Sequence, residues 1–519
     1  MNGTYGSAID RRQLMQGGAA LAGATLLPGN GFAQAAPKKG GTLRISMPYN
    51  PASIDPMTGR NLPDFNVLYS VFDALIDFEP ATLELRPGLA KSWKFTDPKT
   101  LVLDLVEGVT FHDGTPFNAE AVKFNLERYK TDQRSNVKAD LGSMEKVEIT
   151  GPSQITLRLS KPNAGLPVIL TNRVGCMVSP KSIQEKGPNV DRTPVGTGPF
   201  KFVSWQDNDS IKVVRNENYW KKNLPYLDGI TFRIINELNT AARTAIVGEA
   251  DAVLNMQATQ KSVAERSPNV SVKVGPSLIF YGAFLNYGRP PLDDVRVRQA
   301  LNYAINRDEI SKVITLGLGE ASSAILPKVH WAQDPATANF YTHDIDKAKS
   351  LLAAAGHPNG IDIDAFGWSD QTAMQRQELI ISQLAKAGIR IKLTPASPGP
   401  AMQSALIERK GAMLFSPTGG YPDPSQFYDA LFAKEALRNA GKVELPGYRE
   451  LADATMTAAD QPARKAAFAK LQKFVIEQAL QLPQFIAPSI IIMGPKVQNL
   501  VDNLLGTPKF TEVWLNSAA

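Results

Sequence analysis

The sequence predicts an α/β chain of two or three domains. Two observations carry the class: strand-like runs alternate with helical runs from Thr42 to Met493, and neither kind collects in one region. The domain number follows from length. A chain of 519 residues exceeds what one hydrophobic core supports, and 43% hydrophobic with 20% charged residues leaves no shortage of core material.

Thr42–Met47 opens as a strand, and Leu101, Leu103 and Leu105 recur at period two. In Phe111–Val122, Asp113-Gly114 bends the chain, Pro116 ends a strand, and either Thr115 or Asn118 starts a helix carrying Ala121, Val122 and Phe124. Val147–Thr150 and Ile155–Leu159 flank Gly151-Pro152-Ser153 as a hairpin, and strand Ile230–Ile235 leads into helix Asn239–Val247. In Pro291–Ile310, Asp294 is the N-cap of a helix. Its apolar stripe is Val297, Ala300, Leu301, Ala304 and Ile305, with Arg296, Arg298 and Arg307 as solvated flanking charges. Helices follow at Asp346–Ala355 and Gln375–Ala387, then strand Ile389–Leu393, helix Gln461–Gln478 and a last strand Leu482–Met493. No fixed-period repeat and no low-complexity linker interrupts this order.

Residues 1–35 have the form of a cleaved export signal: Arg11-Arg12, a weakly apolar run Gly17–Leu27, and the small-residue site Ala33-Gln34-Ala35. The paired arginines point to the twin-arginine route, although Asp10 and Leu14 stand where that motif carries Ser/Thr and Phe; an ordinary secretory signal is the alternative. The leader has no cysteine to lipidate, and no later apolar run approaches the ~20 residues of a membrane span. The mature chain is therefore expected free in the periplasm. Cys176 is the single cysteine, so no intrachain disulfide can form, and it reads as a buried small hydrophobe. A net charge of +6, without blocks of like charge, indicates a mixed solvated surface and no nucleic-acid partner.

Catalytic motifs are missing. There is no G-x-S-x-G, no H-E-x-x-H and no G-x-x-x-x-G-K-[ST], and His112, His330, His343 and His357 stand alone. No cofactor and no metal site is expected, and His112-Asp113 reads as turn chemistry.

Five segments together carry a resemblance. These are Leu89–Phe95 (LAKSWKF), Phe111–Val122 (FHDGTPFNAEAV), Pro194–Phe200 (PVGTGPF) with Arg215–Asp228 (RNENYWKKNLPYLD), Pro291–Ile310, and Tyr421–Pro424 (YPDP). In this order they resemble extracellular solute-binding proteins of family 5, the dipeptide, oligopeptide and nickel class of periplasmic receptors of ABC importers. The resemblance implies an α/β, two-lobed type II periplasmic binding protein with an extra inserted domain, the three-domain class C arrangement. Lobe one would comprise 38–70, 189–280 and 488–519, the inserted domain 71–188, and lobe two 281–487, with hinge crossings near Tyr281 and Pro488. It further implies a monomer that captures a small solute by lobe closure and delivers it to permease subunits at the inner membrane.

In dipeptide receptors of this class an aspartate shortly before the Asp-Pro pair holds the ligand ammonium, and a tryptophan precedes it. Here Gly420 falls at the acid and Pro417 at the tryptophan, and Ala365–Ala373 lacks the arginine that holds the ligand carboxylate. If the alignment holds, Gly420→Asp should improve binding of free-amine peptides. The remaining candidates for the ligand site are Tyr281, Trp368 and Tyr421 for stacking, Asn286 and Thr418 for hydrogen bonding, and Arg60 with Asn61 for an anionic group. Asp423, between two prolines, reads as a cap that fixes its loop. The expected cargo is a peptide-like, opine-like or other polar solute. The alternatives are a nickel or metal-chelate receptor of the same fold and a periplasmic hydrolase on a two-lobed scaffold.

Overall fold

A computed structural model describes residues 36–59, 62–80, 82–458 and 460–516. The export signal at 1–35 and the candidates Arg60 and Asn61 lie outside the described residues. Three sheets carry the architecture of the unit that starts at Lys38.

The seven-stranded sheet gathers segments remote in sequence. Its spatial order is Ser271–Gly275, Ser489–Met493, Ala252–Val253, Thr42–Met47, Gly229–Ile234, Ser210–Arg215 and Phe200–Gln206. Its centre is parallel, with Thr42–Met47 in register from Thr42↔Gly229 to Met47↔Ile234 and also beside Ala252–Val253. Leu43, Ile45 and Met47 enter one core with Phe200, Ile230 and Phe232.

The six-stranded sheet has the order Glu320–Ala321, Gln481–Ile486, Phe280–Leu285, Met413–Thr418, Ile361–Trp368 and Ile389–Ala396. Helices cover both faces, so its central strands are buried on both sides, whereas Ile361–Trp368 and Ile389–Ala396 alternate. Ala283, Leu285 and Phe415 pack with Val297, Leu301, Ile380 and Leu384, whereas Phe280, Phe284 and Leu414 pack with Phe427, Tyr428 and Phe468. A third, antiparallel sheet of four strands, Ala90–Asp97, Thr100–Leu105, Gln154–Leu159 and Met144–Gly151, has its own core and contains the hairpin expected around Pro152.

The chain passes between the seven- and six-stranded sheets twice, from Gly275 to Phe280 and from Ile486 to Ser489. The two passages are bonded to each other: Ala487 N donates to Ile279 O at 2.8 Å, and Ser277 Oγ donates to Ala487 O at 2.7 Å. The run Leu482–Met493 is therefore two strands in two sheets and not one. Pro488 lies at the break, where its missing N–H cannot continue a ladder.

The run Pro291–Ile310 also departs from expectation. Asp294 does cap a helix, Val295–Ala304, accepting from Arg296 N at 2.7 Å, but Asn306 then caps a second helix, Arg307–Thr315. Arg298 and Arg307 are buried and not solvated. Arg298 donates to the carbonyls of Leu292, Asp293 and Gln478, and Arg307 to those of Asn302 and Pro483. Gln478 lies at a helix end, and a guanidinium has five donors to satisfy several carbonyls at once.

In the FHDGTPF segment, Asp113 accepts from Thr115 N at 3.1 Å, and Asn118, the second of the two possible starters, caps helix Ala119–Thr131. His112 bridges to the PVGTGPF segment, its Nε2 donating to Gly198 O at 2.9 Å while Nδ1 accepts from Gly196 N at 3.3 Å. Burial pushes its pKa down to about 4, so the ring is a neutral structural tie. Cys176 is buried, and burial raises its thiol pKa.

Candidate functional site

Strand direction decides which residues meet. Ile361–Trp368, Ile389–Ala396 and Met413–Thr418 run parallel, and Phe280–Leu285 runs antiparallel to Met413–Thr418 and to Gln481–Ile486. Trp368, Thr418 and Ile486 therefore end on the edge where Phe280 and Tyr281 begin, which is the edge carrying the two passages. In the seven-stranded sheet the ends Met47, Ile234, Val253 and Gly275 lie at the same junction. The crevice outside such strand ends is where open α/β sheets bind ligands.

The two edges touch across this crevice. Thr372 Oγ1 donates to Gln257 Oε1 at 3.3 Å, joining the helix after Trp368 to the loop after Val253. Tyr49, after strand Thr42–Met47, exposes 56% of its surface and lies near Tyr281 and Asp370. At the rim, Gln426 Nε2 donates to Asp140 Oδ1 at 2.7 Å, Ala164 N donates to Met456 O at 2.9 Å, and Lys161 pairs with Asp453 at 3.4 Å.

Four of the sequence candidates gather at this edge. Tyr281 pairs with Pro417 and stacks on Phe485, with centroids 4.9 Å apart. Thr418 is buried, and among the described residues neither its Oγ1 nor the buried Nε1 of Trp368 has a hydrogen-bond partner. Tyr421 is half-buried in the loop that follows, and its hydroxyl accepts from Arg438 Nη1 at 3.3 Å. Asn286 is elsewhere. It follows the far end of strand Phe280–Leu285, where its Oδ1 accepts from Gly288 N at 3.3 Å, because six residues of extended chain carry it away from the crevice.

The loop 419–423 corrects one expectation. A Cβ on Gly420 would come within 1.9 Å of the Leu278 Cβ, so the passage between the sheets fills the place where an acidic side chain would stand. Gly420→Asp therefore cannot supply an ammonium site without displacing Leu278. Asp423 is consumed by structure: its Oδ1 accepts from Ser425 N at 3.0 Å, and both oxygens accept from Arg464 Nη2 at 2.9 Å, with both side chains buried.

Arg376 was missed. Its helix runs Gln371–Lys386, four residues longer at its start than the sequence indicated, with Asp370 as cap. The buried positions Ala373, Arg376, Gln377, Ile380, Gln383 and Leu384 recur at helical spacing, so Arg376 sits within the buried stripe. Its guanidinium carbon stands 4.6 Å from the Tyr281 ring centroid, and its Nε and Nη2 are buried without hydrogen-bond partners among the described residues. Burial lowers its pKa, opposed by Tyr281 and Asp370. The signal was an arginine inside an apolar stripe.

Among the described residues no group of three or more His, Cys, Asp or Glu is placed to hold a metal ion, and no helix is long and apolar enough to cross a membrane.

Comparison with known proteins agrees with this geometry. Residues 84–439 match the family described as bacterial extracellular solute-binding proteins, family 5 Middle. The glutathione-binding protein GsiB of Pectobacterium atrosepticum is 32% identical over 372 residues, covering 69% of this chain and 70% of that protein. The periplasmic binding protein DppA from Helicobacter pylori, solved with the peptide STSA, superposes with a TM-score of 0.83 at 25% identity, covering 92% of this chain and 98% of that one. AgaA from A. tumefaciens, solved with agropinic acid, gives a TM-score of 0.82 at 23% identity, covering 92% and 99%.

Proposed function

This chain belongs to the bacterial extracellular solute-binding proteins of family 5, and we propose that it is the periplasmic receptor of an ABC importer for a peptide-like or opine-like polar solute. The observation that carries this reading is the junction itself: two large sheets between which the chain crosses along the cross-bonded passages 276–279 and 487–488, with aromatic and polar side chains at both facing edges. In this reading lobe one is 38–70, 189–280 and 488–519, the inserted domain is 71–188 and lobe two is 281–487. Export follows the leader 1–35 by the twin-arginine route.

Solute entering the open crevice contacts both edges, and these contacts favour the closed state while the passages absorb the rotation. A micromolar ligand supplies about 8 kcal/mol, of which only the part that differs between open and closed forms drives closure. The chain acts by shape and makes or breaks no bond. GsiB and DppA direct attention to glutathione and short peptides, and AgaA to opines.

The test is isothermal titration of the purified mature chain with these solutes, combined with small-angle scattering. The reading expects binding with a smaller radius of gyration on saturation. A tight ligand that leaves the scattering profile unchanged, or that is chemically converted by the protein, defeats it.

A further inference from the structure

A buried guanidinium without an ion pair or hydrogen bond needs an explanation, because stranding a charge away from water costs several kcal/mol. Arg376 is 1% exposed, forms no ion pair or hydrogen bond among the described residues, and touches the Tyr281 ring. Asp370, whose charge acts on it, spends its Oδ1 as a helix cap on Ala373 N at 3.0 Å. The other unpartnered polar atoms on this edge include the indole N–H of Trp368 and the hydroxyl of Thr418. An arginine and an indole can only donate, and a hydroxyl can do so. The unpartnered groups at this edge are of both kinds, since Gln377 Oε1, beside Trp368, also lacks a partner among the described residues, and Arg376 is the charged one.

Building on the receptor reading, we propose that Arg376 is the anion anchor of the crevice, a ligand carboxylate accepting side-on from its Nε and Nη2 once the Tyr281 ring gives way. That pair of atoms presents two parallel N–H groups, the fork that matches a carboxylate. Arg376 lies in the helix and not in the Ala365–Ala373 segment, so it acts from a different position than the arginine the resemblance would supply.

The test is thermal-shift and titration measurement on the mature chain and on Arg376→Met and Arg376→Lys. The panel holds glutathione, Ala-Ala and glutarate, each beside its neutral ester or amide. The anchor expects at least one acid to bind the wild type in preference to its neutral form. Arg376→Met should lose that acid by about 30-fold or more and lose the preference, and Arg376→Lys should fall between the two. Without ligand, Arg376→Met should melt no lower than wild type, since it removes an uncompensated charge; an arginine kept for packing would lower the melting point. Acids that bind Arg376→Met as tightly as wild type, or a panel in which only neutral forms bind, overturn the anchor while the receptor reading stands. Binding of nothing in the panel counts against both.

Discussion

Gly420 rests against Leu278, so close that a Cβ on the glycine would come within 1.9 Å of the leucine Cβ. One residue follows the strand end that bears Thr418, and the other lies in the passage between the sheets. Substituting Gly420 by Asp or Ala should therefore destabilise the protein by about 1–3 kcal/mol through overpacking. Urea unfolding measures the loss, and titration with free-amine dipeptides should show no gain in affinity.

The buried pair Asp423–Arg464 should be intolerant of single changes. Arg464→Met leaves a buried carboxylate with no counter-charge and should cost about 3–5 kcal/mol, whereas the double change Asp423→Asn with Arg464→Met should cost less than Arg464→Met alone. A loss in the double variant equal to the sum of the two single losses would show that the two residues do not act as a pair.

His330 should give the protein an acid-sensitive limb. The ring is buried, its Nδ1 accepts from Ala332 N at 3.2 Å, and its pKa is pushed down to about 4, first by burial, with Asp423 raising it and Arg464 lowering it. A depressed histidine stays neutral when folded, while the unfolded chain takes up a proton near pH 6.5. Stability from this site is thus complete above about pH 6.5 and falls as pH drops toward 4, by up to roughly 3 kcal/mol. Melting temperature followed from pH 7 to 4.5 should decline less steeply in His330→Gln than in wild type.

Gln426 and Asp140 are bonded across the rim of the crevice. Gln426→Leu removes the donor and leaves Asp140 without its partner, which disfavours the closed arrangement by about tenfold. Solute affinity should fall by a similar factor, and scattering without solute should report a larger average radius of gyration than wild type.

The sequence made the two-lobed α/β architecture readable because its strands and helices are locally consistent and its motif segments keep their order. It did not show the break at Pro488, since Leu482–Met493 is apolar on both sides of the proline and both halves are strands. The arginines were misread for one reason. Arg298, Arg307 and Arg376 were placed by charge on the surface or passed over, although helical spacing puts Arg376 between Ala373 and Ile380, inside a stripe. Arg298 and Arg307 are buried by carbonyls that belong to segments remote in sequence, Gln478 and Pro483, which no local pattern can reveal. Tyr281, Trp368 and Thr418 lie at the strand ends beside the two passages, while Asn286 lies one strand length away.

The two short passages have a consequence for how such a molecule can be rebuilt. Because outgoing and returning backbones lie side by side, everything between them is a cassette with two neighbouring splice points. A half taken from a relative with another cargo could be grafted between Ser277 and Ala487 by matching that seam together with the few bonds that Thr372, Gln426, Asp453 and Met456 make to the receiving frame, so that a change of diet would leave most of that frame as it stands.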